Sequence, residues 1–255
     1  MIDKLKLFDV LVTKQMVHHF FQPIIDANSG EIVGYEALMR SNGDINMSPL
    51  EILDIARRHR RLYDVEKLTF FLVLERIRKD RELFGGRKVF INSIPGEFLN
   101  EEDCEIIRST YGEELSDLVI EITEDAPVSA EELERIKKLG VEGNIPIAVD
   151  DYGMGHSNIV NLLTYDPQIV KVDRFLICDI QKDRNKQMFV RNVVEFAQNA
   201  GIRVLAEGVE TEAEMKTVVE LGIDLIQGYY TARPSFEIIR DLPPAVKEQI
   251  QDAGK

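Results

Sequence analysis

The chain predicts an α/β fold, a modified TIM (β/α)8 barrel with one antiparallel strand near the N-terminus. Three observations point there. Short apolar, β-branched runs alternate with helical patterns from end to end, which favours a mostly parallel sheet with helical crossovers. The length of 255 residues is the usual size of such a barrel, about 250 residues. The first two runs are joined only by Asn28-Ser29-Gly30, a turn too short for anything but an antiparallel pair.

The elements follow in order. The first residues, Met-Ile-Asp-Lys-Leu-Lys-Leu-Phe, mix charge and apolar side chains as a short helix does. Phe20 to Asp26 and Glu31 to Met39 form the hairpin. Ser48-Pro49-Leu50-Glu51 supplies an N-cap, a proline at the first helical position and a capping-box acid, opening helical periodicity that continues with interruptions to about Lys79. Lys88 to Ile94 is a strand with Asn92 near its end, followed by a helix over Glu101 to Thr110. Leu118 to Glu121, closed by Ile122-Thr123-Glu124, is the next strand. Ser129 and Glu132 read as a capping box for a helix to Leu139, with Gly143 ending the unit.

Ile145 to Asp151 is a buried strand that stops at two acids and two glycines, Gly153 and Gly155. Successive strand residues face opposite ways, so Asp150 and Asp151 converge only if the chain leaves the strand between them, which Gly153 and Gly155 permit. A short helix near Asn158 to Leu163, a strand over Ile169 to Val172 and an amphipathic helix over Asn185 to Asn199, closed by Gly201, come next. Ile202 to Ala206 is a strand; Thr211 and Glu214 cap a helix to Leu221; Leu225 to Gly228 is the last strand. A final helix is expected from near Ser235, with a polar tail after Pro243 and Pro244. No linker rich in Ser, Gly or Pro interrupts the succession, so residues 1–255 read as one domain with a core over about 18–240.

Composition narrows the function. With 44% hydrophobic and 30% charged residues, the chain has the make-up of a soluble globular protein. A formal charge of −14 argues against a DNA, RNA or anionic-membrane surface, while leaving room for a small phosphate ligand in a metal-lined pocket. Two scattered cysteines, Cys104 and Cys178, suit reduced thiols in a cytoplasmic protein. No signal peptide is visible. His18, His19, His59 and His156 lack metal-ligand spacing. Tyr229 and Tyr230 read as packing residues.

The strands close on Glu36, Asn92, Glu121, Asp150 with Asp151, Lys171, Glu207 and Gln227. In a barrel these gather at the C-terminal mouth, where active sites of the fold are built. Any one of them is an ordinary polar exit from a strand; as a set, carboxylate after carboxylate, they are not. Two carboxylates 4 Å apart repel by roughly 4 kcal/mol at an effective dielectric near 20, so a single lysine cannot neutralise the group. An oxygen-rich set with one amide and no Cys or His suits Mg²⁺ or Mn²⁺. A bridging acid, Asp150, beside Asp151 suggests two ions about 3.5–4 Å apart, an arrangement that supports in-line attack on a phosphodiester. Lys171 is then placed to orient the attacking water or to neutralise a phosphate oxygen, Glu207 to take the proton, and Arg40 to hold a phosphate with its planar fork.

These residues stand in motifs. Tyr-Glu36-Ala-Leu-Met-Arg40, Ile-Asn92-Ser, Glu121-Ile-Thr-Glu124, Asp150-Asp151-Tyr-Gly-Met-Gly, Val-Lys171-Val-Asp, Ala-Glu207-Gly-Val-Glu and Ile-Gln227-Gly-Tyr, in this order over about Phe20 to Pro234, together resemble the EAL-domain family of cyclic di-GMP phosphodiesterases. The resemblance implies a modified TIM barrel that hydrolyses one phosphodiester bond of cyclic di-GMP to linear pGpG with two Mg²⁺ or Mn²⁺ ions. It makes Glu36, Asn92, Glu121 and Asp150 ligands of one ion, with Asp150 and Asp151 serving the second. Lys171 and Glu207 act on the water and Gln227 supports them; Gln22 and Arg40 contact substrate; Glu124 anchors the loop after Asp151. It also implies a homodimer and leaves room for a flanking regulatory domain in a longer chain. The alternative within the resemblance is a non-catalytic cyclic di-GMP receptor. Tyr152, Met154, His156 and Asn158 depart from the family's usual loop sequence, Asp-Asp-Phe-Gly-Thr-Gly-Tyr-Ser-Ser.

Overall fold

The structure is a computed structural model and describes residues 4–42, 47–124, 128–140, 145–153 and 159–254. The strands are β1 (Val17–Asp26), β2 (Ile32–Ser41), β3 (Lys88–Asn92), β4 (Leu118–Thr123), β5 (Ile147–Tyr152), β6 (Ile169–Val172), β7 (Arg203–Ala206) and β8 (Leu225–Ile226). They form a closed barrel in sequence order. All neighbours are parallel except at β1, which runs antiparallel to both β2 and β8. One reversed strand is what the Asn28-Ser29-Gly30 turn requires. Asp26 Oδ1 holds that turn by accepting from the backbone of Asn28 and Ser29, and Gly30 takes φ +68°.

The helices are α1 (Lys4–Thr13), α2 (Pro49–Arg58), α3 (Leu62–Lys79), α4 (Arg81–Phe84), α5 (Glu101–Tyr111), α6 (Ala130–Lys138), α7 (Ile159–Tyr165), α8 (Arg174–Ile177), α9 (Arg184–Ala200), α10 (Glu212–Glu220) and α11 (Pro244–Ala253). None is long and apolar enough to cross a membrane among the described residues. The larger apolar layer lies between the barrel's outer face and the helices, with α1 and α2 completing a separate cluster against α3.

Two expected caps behave differently. Ser48 and Glu51 form a full capping box on α2. Ser129 caps α6 by accepting from Glu132 N, but the Glu132 carboxylate does not return to the cap. It accepts instead from Gly96 N at 3.0 Å and Phe98 N at 3.1 Å, in the loop after β3. The last helix also differs from expectation. Residues 235–241 form no helix; Ser235 pairs with Phe21 along the otherwise open upper edge of β1. The helix starts instead at Pro244, where a proline at the first position lacks only an N–H that no helical partner needs. The expectations at Gly143, Met154, Gly155, His156 and Asn158 fall outside the described residues.

Candidate active site

Strand periodicity builds the site. A floor of apolar residues fills the barrel: Ile24, Phe90, Val119, Ala148, Ile169, Leu205 and Leu225 pack together inside it. Gly34 completes the ring on β2, where a Cβ would press on the Phe90 side chain at 3.1 Å and the Lys88 carbonyl at 2.9 Å. Two residues further toward the mouth, on the same inward face, stand Gln22, Glu36, Asn92, Glu121, Asp150, Lys171, Glu207 and Gln227. Each strand thus contributes one apolar floor position and one polar position above it, except β2, whose floor position is glycine.

Lys171 is the centre of this upper ring. Its side chain is 0% exposed, and Nζ lies 2.5 Å from Glu121 Oε1, 2.7 Å from Glu207 Oε1, 3.1 Å from Asp150 Oδ1 and 3.8 Å from Glu36 Oε1. Burial works to strip its proton, but the four carboxylates outweigh burial and hold its pKa well above the ordinary lysine range. The ammonium is therefore charged. Glu121 is 1% exposed, and burial drives its pKa well above the usual carboxylate range, opposed by Lys171 and reinforced by Glu36 and Asp150. Glu207 is pushed up to about 8, first by burial and then by Asp150 and Glu36, with Lys171 opposing.

Amides tie the remaining acid. Glu36 Oε1 accepts from Asn92 Nδ2 at 3.1 Å and Oε2 from Gln227 Nε2 at 2.7 Å. Gln227 Nε2 also reaches Gln22 Oε1 at 3.2 Å, and Gln22 Nε2 donates to the Ala232 carbonyl at 3.0 Å. Donation by Asn92 Nδ2 to Glu36 leaves its amide oxygen available to a cation.

Asp150 and Asp151 do converge, though not where the glycines suggested. The turn lies at Asp151 itself, at φ +58°, where the pairing of β5 with β6 shifts register between Val149 and Tyr152. A bulge turns consecutive side chains toward one side, and Asp151 N donates to Asp150 Oδ1 at 2.9 Å. Oxygens of Asp150, Asp151 and Glu207 all lie within 4.8 Å of one another. Gly153, at φ +105°, follows, and its N–H approaches Glu124 Oε2 at 3.4 Å.

These residues fit a divalent cation by chemistry as well as place. The donors are carboxylate and amide oxygens, the set preferred by hard ions. Among the described residues both Glu121 oxygens are buried without a directed hydrogen bond, as are Lys171 Nζ, despite its close ion pairs, and Gln227 Oε1. Buried oxygens lacking donors are costly unless something positive meets them.

Above the ring opens a cleft of about 340 Å³ lined by Gln22, Glu36, Asp150, Asp151, Glu207 and Gln227, together with Arg174, Gly208, Glu210, Gly228 and Tyr229. Arg40 is not among the lining residues. It lies further out on β2, its guanidinium 5.5 Å from the centre of the Phe20 ring and donating to the Met39 carbonyl at 2.7 Å. Tyr230 packs as expected, its hydroxyl 2.7 Å from Gln249 Oε1. Tyr229 does not. It is 49% exposed at the cleft, with Arg233 over its ring at 4.1 Å. Arg174 and Glu210, which sequence reasoning passed over, pair across the cleft rim. Their signal was position alone, three residues beyond Lys171 and Glu207.

Among relatives, PdeD of Escherichia coli (strain K12), a probable cyclic di-GMP phosphodiesterase, is 29% identical over 232 residues, covering 88% of this chain and 42% of PdeD. MucR of Pseudomonas aeruginosa, a bifunctional diguanylate cyclase/cyclic di-GMP phosphodiesterase, is 27% identical over 243 residues, covering 89% of this chain and 34% of MucR. The chain spans less than half the length of either. Of solved structures, a standalone versatile EAL protein from Vibrio cholerae O395 in its c-di-GMP-bound form superposes with a TM-score of 0.75 at 29% identity, over 90% of this chain and 97% of that one. BlrP1 of Klebsiella pneumoniae, in a calcium/cy-diGMP complex, gives 0.78 at 26% identity, over 90% and 58%. The EAL domain family model matches residues 8–234, and a barrel with β1 reversed carries its motifs at the mouth: the chain belongs to the EAL domain family.

Proposed function

We propose that this domain is a metal-dependent phosphodiesterase that hydrolyses cyclic di-GMP to linear pGpG. The observation that carries the reading is the polar ring itself, four carboxylates around one buried ammonium at the floor of an open cleft. Glu36, Asn92, Glu121 and Asp150 would hold one Mg²⁺ or Mn²⁺, and Asp150 and Asp151 a second. When bound, such ions supply Lewis acidity toward a phosphoryl oxygen and lower the pKa of water.

The chain's own groups do the rest. Burial and the neighbouring acids favour the protonated form of Glu207, against the pull of Lys171. The positive charge of bound ions favours its ionised form, which can then accept the water's proton at Oε. Lys171 Nζ donates toward that water or a phosphate oxygen. Gln227 keeps Glu36 in its rotamer, Glu124 fixes the Asp151 turn, and Gln22 and Arg40 contact the dinucleotide. The relatives' greater length fits a flanking regulatory domain in a longer chain; that the domain works in the cytoplasm as a homodimer is part of the same proposal and rests on the family resemblance.

Purified protein incubated with cyclic di-GMP and a Mn²⁺ titration tests the reading. Metal-dependent formation of the linear dinucleotide is expected. Nucleotide binding without product would instead assign the domain to the non-catalytic receptors.

A further inference from the structure

Asn92 is the weakest link in the ring. It is the only neutral member offered as a metal ligand, it is exposed, and it sits at the last position of β3, where strand pairing ends. Something must hold that end still. The backbone continues through Ser93, whose N–H donates to the Glu121 carbonyl at 2.9 Å, and then leaves the barrel. At this point a carboxyl group from another element intervenes. Glu66 projects from α3 and is 1% exposed. Its Oε1 accepts from Ser93 Oγ at 2.6 Å and its Oε2 from Ile94 N at 3.0 Å.

Burial pushes Glu66 up to about 8, with Glu132 and Glu97 adding to the rise and the Ser93 and Ile94 bonds opposing it. Burying this group is therefore unfavourable at neutral pH, and an apolar side chain would fill the same space at less cost. What the carboxyl supplies is two bonds to the two residues after Asn92. Glu132 of α6, also buried, grips the same loop further on, at Gly96 and Phe98. The end of β3 is thus clamped from two helices.

We infer that Glu66 is a positioning residue of the active site, fixing through Ser93 Oγ and Ile94 N–H the strand end that presents the Asn92 amide to a metal ion. The inference rests on the metal-binding reading above. It does not require Glu66 to touch substrate or ion. Groups that orient a ligand from behind typically change metal affinity by about 10–100-fold when removed.

The test is Mn²⁺ binding to the full chain, followed by the electron paramagnetic resonance of the free ion, with turnover measured alongside. E66A is expected to weaken Mn²⁺ binding by about 10-fold or more while the KM for cyclic di-GMP changes by less than about two-fold at saturating metal. E66Q, which retains an acceptor for Ile94 N–H and meets Ser93 Oγ with a donor, should recover most of the loss. In an N92A background E66A should add almost nothing, because a residue acting through Asn92 has nothing left to position. Equal Mn²⁺ affinity in wild type and E66A, or the same loss with and without Asn92, overturns the inference. Should E66A not fold, S93A carries the test: unchanged Mn²⁺ affinity there overturns it equally. A wild-type chain that binds no Mn²⁺ removes the metal reading itself and the inference with it, whereas normal binding by wild type and E66A with loss in N92A removes only the inference.

Discussion

Glu121 and Glu132 are both glutamates sealed from solvent, 1% and 3% exposed, and the fold treats them in opposite ways. Glu132 receives two backbone N–H groups and ties α6 to the loop after β3. Glu214 on α10 is held the same way. Burial works to raise its pKa, but backbone donors from Asp179, Glu210 and Thr211 outweigh that and keep it low. Among the described residues Glu121 receives no backbone donor, and it shares one ammonium with three other carboxylates. These two shell glutamates are satisfied, and the carboxylates of the mouth are frustrated. Acids kept where they raise the energy of the metal-free fold serve something other than folding.

The contrast predicts that the same kind of substitution has opposite signatures in the two regions. Glu36→Ala removes a metal ligand, and turnover should fall on the order of 10³-fold or more, about 4 kcal/mol in the barrier, with the metal-free unfolding midpoint unchanged or raised. A variant that retained near-normal turnover with metal present would show the mouth to be misassigned.

Lys171→Ala should come next. It leaves four carboxylates without their counter-charge, and the metal-free protein should lose about 3 kcal/mol in urea unfolding. Added Mn²⁺ should restore part of that stability, and substrate binding should survive while the chemical step slows. An unchanged turnover rate would remove Lys171 from the mechanism.

Glu132→Ala is the counterpart in the shell. It removes the acceptor of the buried Phe98 N–H and the part-buried Gly96 N–H and should cost about 2 kcal/mol of stability at unchanged denaturant slope, with a smaller effect on turnover than any substitution in the ring. If Glu36→Ala destabilised the metal-free fold as much as Glu132→Ala, the distinction between the regions would collapse.

How much of this could be read from the sequence follows from the same division. The mouth was legible because strands repeat every two residues, so Ala148 and Asp150, or Ile169 and Lys171, fall on one face whatever the rest of the chain does. The hairpin was legible because Asn28-Ser29-Gly30 leaves no other connection. The shell was not. Ser129-x-x-Glu132 has the pattern of a capping box, but pattern cannot reveal that a loop some thirty residues earlier offers Glu132 better donors. Glu66 sits inside a helix that could equally expose it, and only the docking of α3 on the end of β3 makes it a partner of Ser93. Glycine tolerates positive φ, so the sequence points to Gly153 and Gly155 for the bend; a register shift in β5 imposes it on Asp151 instead. Segment 235–241 has some helical pattern, but the unpaired edge of β1 captures Ser235.

Glu66 stands between the two regions, with a shell residue's hydrogen bonds and a mouth residue's affinity for its proton, and it gives the pH dependence of stability a definite sign. Glu66 and Glu207 are both held at about 8, so the folded metal-free protein keeps protons that the unfolded chain releases near pH 4.5. Their contribution to stability is full below that pH and is lost as pH rises through about 8. His19, buried and depressed to about 3 by burial and then by the charges of His18 and Arg40, works in the other direction, contributing above pH 6.5 and losing that contribution as pH falls toward 3. Above pH 6.5 only the carboxyl effect remains. Metal-free protein should therefore be less stable at pH 8 than at pH 6.5. E66Q should flatten part of that slope because it has no proton to lose. Saturating Mn²⁺ should flatten the part owed to Glu207, which then ionises beside a cation. A melting temperature that rises from pH 6.5 to pH 8 without metal would mean that the mouth carboxylates are not strained by burial, and the contrast with the shell would lose its physical basis.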